Sequence, residues 1–156
     1  MTNLFPGLAR GPIDHEASSV INSIANEAID MGAAVSLVTE PSSEILPRVE
    51  NGDAQGEALY GIVVGGDTDG VYGTGADSVD DTTRAASVAG DAVVVVTQGR
   101  CLAKIDGTIV LSDPLTASAA GGLEVAAAAD EVIAIALQAA SAGDIAAVDV
   151  QRQGIL

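Results

Sequence analysis

Leu123-Glu124-Val125-Ala126-Ala127-Ala128-Ala129-Asp130-Glu131-Val132-Ile133-Ala134-Ile135-Ala136-Leu137-Gln138-Ala139-Ala140-Ser141-Ala142 can be read in two ways, and the choice decides the fold. Its alanines, with Glu124, Glu131 and Gln138 recurring every seven residues, favour a helix with a narrow polar face, and Gly143 would serve as its C-terminal stop. Against this, Val132-Ile133-Ala134-Ile135 is a β-type run. Just beyond it, Ala146, Val148 and Val150 fall on one side and Ala147 and Asp149 on the other, the alternation of a strand. Propensity taken alone leans towards the helix.

Upstream the β signal is clearer. Gly90-Asp91 opens a turn into Ala92-Val93-Val94-Val95-Val96-Thr97, whose four consecutive valines read as a strand covered on both faces. After Gln98-Gly99 comes Arg100-Cys101-Leu102-Ala103-Lys104-Ile105. Asp106-Gly107 has the composition of a hairpin turn, with Thr108-Ile109-Val110-Leu111 expected to pair back. Asp113-Pro114 and Gly121-Gly122 are further turns. Ala34–Val38 and Leu59–Val64 read as strands, and residues 40–58 as a loop. Residues 16–31 stay open between a helix and two strands joined by a turn near Asn26-Glu27. Residues 65–83 are rich in Gly and Asp, a loop composition. The first 15 residues, punctuated by Phe5-Pro6-Gly7 and Gly11-Pro12, read as an extended arm carrying Leu4, Phe5, Leu8 and Ile13.

Composition bounds the function. The chain has 22 Asp and Glu against six Lys and Arg, a net charge of −16 in 156 residues, yet 48% of it is hydrophobic. It therefore has a core to fold around, unlike low-hydrophobicity acidic chains. Self-repulsion at this charge destabilises the compact state in dilute buffer. At ~1 M salt the Debye length shrinks to ~3 Å and the repulsion is screened. Acidity with a single lysine, Lys104, reads as a halophile's protein. The charge argues against nucleic acid and anionic membranes as partners. No apolar run reaches the ~20 residues of a membrane-spanning helix.

The core must be built from small side chains: 28 residues are alanine, with no Trp, one Phe and two Tyr. Each contributes little burial energy, so help from an oligomer is expected. The single cysteine, Cys101, excludes an internal disulfide and, lying in an expected strand, reads as a small buried apolar group.

Several stretches resemble the small capsid decoration (cement) proteins of tailed double-stranded DNA viruses. They are Gly90–Val95, Thr97-Gln98-Gly99, Leu111–Ser118 and Ile135–Asp144, with weaker echoes at Ala34–Leu37 and Leu59–Val63. The resemblance covers about half the chain and is a pattern of turns and small residues rather than a catalytic fingerprint. It implies a mainly β fold, a small β-barrel or β-sandwich with an extended N-terminal arm and little helix. It resolves the opening conflict towards strands, one within 123–129, one at 131–138 and one at 145–150. The organisation expected is an arm at 1–15 and one β-rich domain at 16–156, with an acidic loop at 65–83 that does not fit the pattern.

The implied function is that of a structural virion protein with no enzymatic activity. As a homotrimer it would decorate and stabilise the outside of an icosahedral capsid by bridging major capsid subunits. It would be made in the cytoplasm of a halophilic, preferably archaeal, host. Leu4, Phe5, Leu8 and Ile13 are the candidate capsid-binding residues, by addition of a strand to an exposed sheet edge. The alternatives are a tail or fibre component, or a β-barrel module binding calcium or a sugar.

No cofactor is expected. Asp67-Thr68-Asp69-Gly70 opens like a calcium loop, but the twelfth position is Ser78 rather than Glu, which leaves Asp67, Asp69 and Asp77 as weak metal candidates. Gly65-Gly66 and Gly73-Thr74-Gly75 do not continue as a phosphate-binding fingerprint. His15 is the sole histidine, and no Gly-x-Ser-x-Gly elbow accompanies it.

Overall fold

Every regular element in the described residues is a strand. The computed structural model describes residues 16–38, 46–52, 58–66 and 89–155. In chain order the strands are β1 (Glu16–Ala25), β2 (Ala34–Leu37), β3 (Arg48–Asn51), β4 (Leu59–Gly66), β5 (Ala92–Lys104), β6 (Pro114–Ala117), β7 (Leu123–Val125), β8 (Glu131–Ala136) and β9 (Ile145–Ile155). The mainly β expectation holds. The architecture is one nine-stranded sheet containing a ring of strands rather than a clean barrel.

The ring closes because β1 has a partner on each edge. It pairs with β3 in parallel at Ile24 and Ala25, and with β5 antiparallel along most of its length. The order β1-β3-β2-β4-β5 thus returns to β1. From β5 the sheet continues through β9, β8 and β6 to β7.

Both sets of strands meet on β5. Val96 lies between Val20 of β1 and Ile62 of β4, whereas Gly99 lies between Ala17 of β1 and Val150 of β9. β4 and β9 therefore occupy the same edge of β5, one after the other. This explains the valine run: Val93 to Val96 are all buried, as a β-branched strand covered on both faces requires.

The disputed stretch around 123–142 forms two short strands joined by turns, with no helix. Leu123–Val125 lies within the expected 123–129, Glu131–Ala136 ends two residues short of the expected 138, and Ile145–Ile155 runs five residues past the expected 150. Packing outweighs alanine's helix propensity here. Val132, Ile133, Ala134 and Ala136 are buried, and β8 is held by β6 on one side and β9 on the other. Gly143, read as a helix stop, sits at φ +92° in the turn before β9 instead.

Four local expectations are corrected. Residues 92–105 are not two strands broken at Gln98-Gly99; β5 runs through, with Gly99 paired on both edges. Asp106-Gly107 does not turn a hairpin. Ile105 bridges Leu123 in parallel and Ile109 bridges Ala140, so the chain leaves β5 for other partners. Asp106 spends its carboxylate on Ser118 and Gly122 rather than on its own turn. Residues 40–58 include β3, a four-residue strand with one fully buried side chain, Val49. In 16–31 the strand reading wins: β1 ends at Ala25 with a bend at Asn26-Glu27, and no second named strand follows before β2.

The core is aliphatic. Its largest fully buried side chains are Ile29, Leu59, Ile62, Ile105, Ile109, Leu115, Leu123 and Ile133, interleaved with Ala25, Ala34, Ala103, Ala134, Ala136 and Ala146. Tyr60 packs only at its margin. Burying an Ile or Leu is worth ~1.5–3 kcal/mol, and an alanine much less.

Gly32 forms the seam between the ring and the remaining strands. Its N–H donates to Val63 O at 2.8 Å, and its carbonyl accepts Lys104 N–H at 2.9 Å. Its φ is +80°, and a Cβ there would lie 2.6 Å from Lys104 N, so only glycine fits. Two residues on, Ala34 N–H donates to Gly121 O at 2.9 Å.

Candidate functional site

The expected capsid-binding residues Leu4, Phe5, Leu8 and Ile13 lie outside the described residues, as do His15 and the metal candidates Asp67, Asp69 and Asp77. The same holds for the acidic loop beyond Gly66. Among the described residues, no group of three or more His, Cys, Asp or Glu is placed to hold a metal ion. Cys101 is buried in β5, as its reading required. Burial, reinforced by the Asp149 carboxylate nearby, pushes its thiol up to about 12, so at neutral pH it is not a thiolate.

What the described surface does present is an apolar turn. Val110 and Leu111 are 55% and 64% exposed, more than any other large hydrophobic residue among those described. The turn that carries them is fixed at both ends. Val110 N–H donates to the Asp113 carboxylate at 2.8 Å, and Asp113 N–H donates back to Val110 O at 3.1 Å. Ser112 N–H donates to Ala136 O at 2.8 Å, and Ala136 N–H to Asp113 O at 2.9 Å. Ile109, fully buried beneath, exchanges two backbone hydrogen bonds with Ala140 at 2.9 and 3.1 Å. Ser112 adopts φ +73°, a left-handed conformation costly for a residue with a Cβ.

The sequence on either side of this turn's contacts is sparse in charge. Residues 107–112 and 132–143 contain no Asp, Glu, Lys or Arg. Four carboxylates border these stretches: Asp113 accepts from Val110 N–H and Asp144 from Ser141 N–H at 2.8 Å, while Asp106 accepts from Gly122 N–H and Glu131 from Leu59 N–H at 3.2 Å. Val125, 41% exposed, borders the same end of β6, because it pairs with Leu115 and its neighbour Ala126 donates to Pro114 O. Sequence reading missed this surface by placing Thr108–Leu111 in a hairpin strand. The Ser112-Asp113-Pro114 signal, in which a short acidic side chain can bond the backbone just before it, was the clue. A second, smaller apolar pair, Leu37 and Leu46, flanks β3 beside Arg48 and is less exposed.

The one lysine has a structural setting. Lys104 Nζ lies 3.2 Å from Asp30 Oδ2, 3.9 Å from Asp106 Oδ1 and 3.5 Å from Ala120 O. Asp106 in turn accepts from Ser118 Oγ and from Gly122 N–H, the latter at 2.8 Å. Together they pin the 118–122 turn against the end of β5.

No protein-family model matches this sequence, and no curated protein matches it. Among solved structures, the fold is similar to the N base of the head fiber gp8.5 of bacteriophage phi29, with a TM-score of 0.50. The likeness covers 88% of this chain and 97% of that one at 11% sequence identity. At that identity the likeness is one of fold.

Proposed function

We propose that this chain is a structural virion protein of a tailed virus, held on the outside of the head. The observation that supports this best is the extent of the fold likeness, which takes in nearly all of a head-fiber base domain. On this reading the chain decorates the capsid as a homotrimer, bridges major capsid subunits and adds binding energy that opposes shell expansion. It performs no catalytic step. The aliphatic, alanine-rich core is consistent with a protomer that gains stability by association. The arm residues Leu4, Phe5, Leu8 and Ile13 remain the proposed contact with the shell.

The test is co-sedimentation, in molar salt, of the purified chain with tailed-virus capsids that lack it. Saturable binding at a fixed ratio to the major capsid subunit is expected. Absence of binding refutes the head assignment. Deleting residues 2–12 should abolish binding, and unchanged binding would remove the arm from the proposal.

A second reading, the base of a head fibre rather than a cement protein, is favoured by what the neighbour's structure is named for. Electron microscopy of decorated heads separates the two. A fibre base occupies few sites and carries a projecting structure, whereas a cement protein fills a lattice of equivalent sites.

The net charge supports a host at high salt. Transfer to dilute buffer should dissociate or unfold the chain. An unchanged mass and melting temperature there would count against the halophilic part of the reading.

A further inference from the structure

We propose that Asn51-Gly52 is a latent deamidation site, kept closed by the fold and converted irreversibly when β3 leaves β2. It is the only Asn-Gly pair in the chain. Glycine has no Cβ to shield its backbone nitrogen, so this is the dipeptide at which an asparagine side chain is attacked most readily. The inference is independent of the function proposed above.

The reaction has three requirements that the folded chain withholds. The Gly52 nitrogen must be free to lose its proton, Asn51 must turn that nitrogen towards its own Cγ, and the side-chain amide must be free to leave. Gly52 is buried against Leu59, and its N–H donates to Ala34 O at 3.0 Å. Asn51 is held extended opposite Val35, and an extended backbone turns the following nitrogen away from the side-chain carbonyl carbon. Asn51 Nδ2 donates to Glu27 Oε1 at 3.0 Å and to Ala28 O at 2.9 Å, and Asn51 N–H donates to the same Glu27 oxygen at 2.9 Å.

The closure is shallow. β3 has four residues, one fully buried side chain, Val49, and pairs with β2 at three positions and with β1 at two. A segment with so few buried apolar contacts opens at less cost than the whole fold. Once it is open, the Gly52 nitrogen bonds to Asn51 Cγ and the Cγ–Nδ2 bond breaks. Ammonia leaves, taking the proton that the Gly52 nitrogen loses. Solvent water then opens the five-membered imide, at the side-chain carbonyl to give aspartate or at the main-chain carbonyl to give isoaspartate. Neither product has the amide that donated to Ala28 O and Glu27. Each instead adds a carboxylate near that of Glu27, where like charges repel. β3 therefore cannot recover its original contacts.

The experiment incubates the full chain in molar salt, with and without guanidinium chloride, at one pH and temperature. Conversion of Asn51 is read by mass spectrometry of its peptide. The unfolded chain should convert, and the folded chain should convert ~10-fold or more slowly. Equal rates, or no conversion in the unfolded chain, overturn the proposal. In the wild-type chain the amides of Asn51 and Gly52 should exchange with solvent faster than those of Val95 and Val96 in β5, and equal protection overturns the local opening. Asn51→Asp reproduces one converted chain and should melt ~2–8 °C below the wild type. An equal melting temperature overturns the irreversible step.

Discussion

Replacing Gly32 by alanine should destabilise the chain more than the same change at two other glycines with similar backbone angles. Gly32, Gly90 and Gly143 have φ of +80°, +95° and +92°. Forcing an L-residue into that region costs ~1–2 kcal/mol at each site. At Gly90 and Gly143 nothing lies within 4 Å of an added Cβ, so that is the whole cost. At Gly32 the Cβ would sit 2.6 Å from Lys104 N and 3.1 Å from Ala103 C, both backbone atoms of β5. Relieving the contact means moving the end of β5, which endangers the bonds to Val63 O and from Lys104 N. Each is worth ~0.5–1.5 kcal/mol net. The total is ~2–5 kcal/mol at Gly32, against ~1–2 kcal/mol at the other two. For a chain of this size ~1 kcal/mol moves Tm by ~2–4 °C. The expected losses are therefore ~4–20 °C for Gly32→Ala and ~2–8 °C for the other two. The assay is thermal melting followed by circular dichroism, in molar salt and at one fixed protein concentration. A Gly32→Ala variant that melts no lower than Gly143→Ala would refute the view that Gly32 joins the two strand sets by close backbone contact.

Cys101 should be inert to thiol reagents in the folded chain and reactive once unfolded. Its folded value is raised from the ordinary 9.0 to about 12, so the stability it contributes is full below about 9 and is lost as pH rises towards 12. Denaturation series across that window should show stability falling, and Cys101→Ala should flatten the fall; an equal slope in the variant would contradict the assignment. Removing the Asp106 carboxylate, as in Asp106→Ala, should cost ~2–4 kcal/mol, because Ser118 Oγ and Gly122 N–H lose a charged acceptor. Amide exchange at Gly122 should accelerate in that variant, and unchanged protection there would remove the role given to Asp106.

Several strand positions were legible because their cues are local. The four valines from Val93 to Val96 read as a doubly covered strand, and Gly90 and Gly121 mark turns that the structure places at positive φ. The stretch at 123–142 was different, because alanine's propensity and the Glu124–Glu131–Gln138 spacing gave a coherent helical reading. What overrides it is non-local, the pairing of β8 with both β6 and β9. β3 was missed for the opposite reason: with Val49 as its one fully buried side chain it has almost no pattern of its own and exists by pairing with β2 and β1. The exposed turn at Val110 and Leu111 was hidden by a strong but false hairpin cue at Asp106-Gly107. No local rule reveals that Asp106 is claimed by Ser118 and Gly122. The surface expected to bind the shell was placed on the arm, whose residues lie outside those described.

The sharing of β5 between the two strand sets also constrains how the chain is made. β1 ends at Ala25, but the strand that lines most of it ends at Lys104, roughly eighty residues later. At ~5–20 residues per second of synthesis, β1 waits ~4–16 s for its principal partner. The second half of β5 then waits again for β9, about forty residues further on. Between the synthesis of β1 and that of β9 a growing chain thus carries unpaired apolar strand. A net charge of −16 opposes edge-to-edge pairing between chains whose rings have not yet closed.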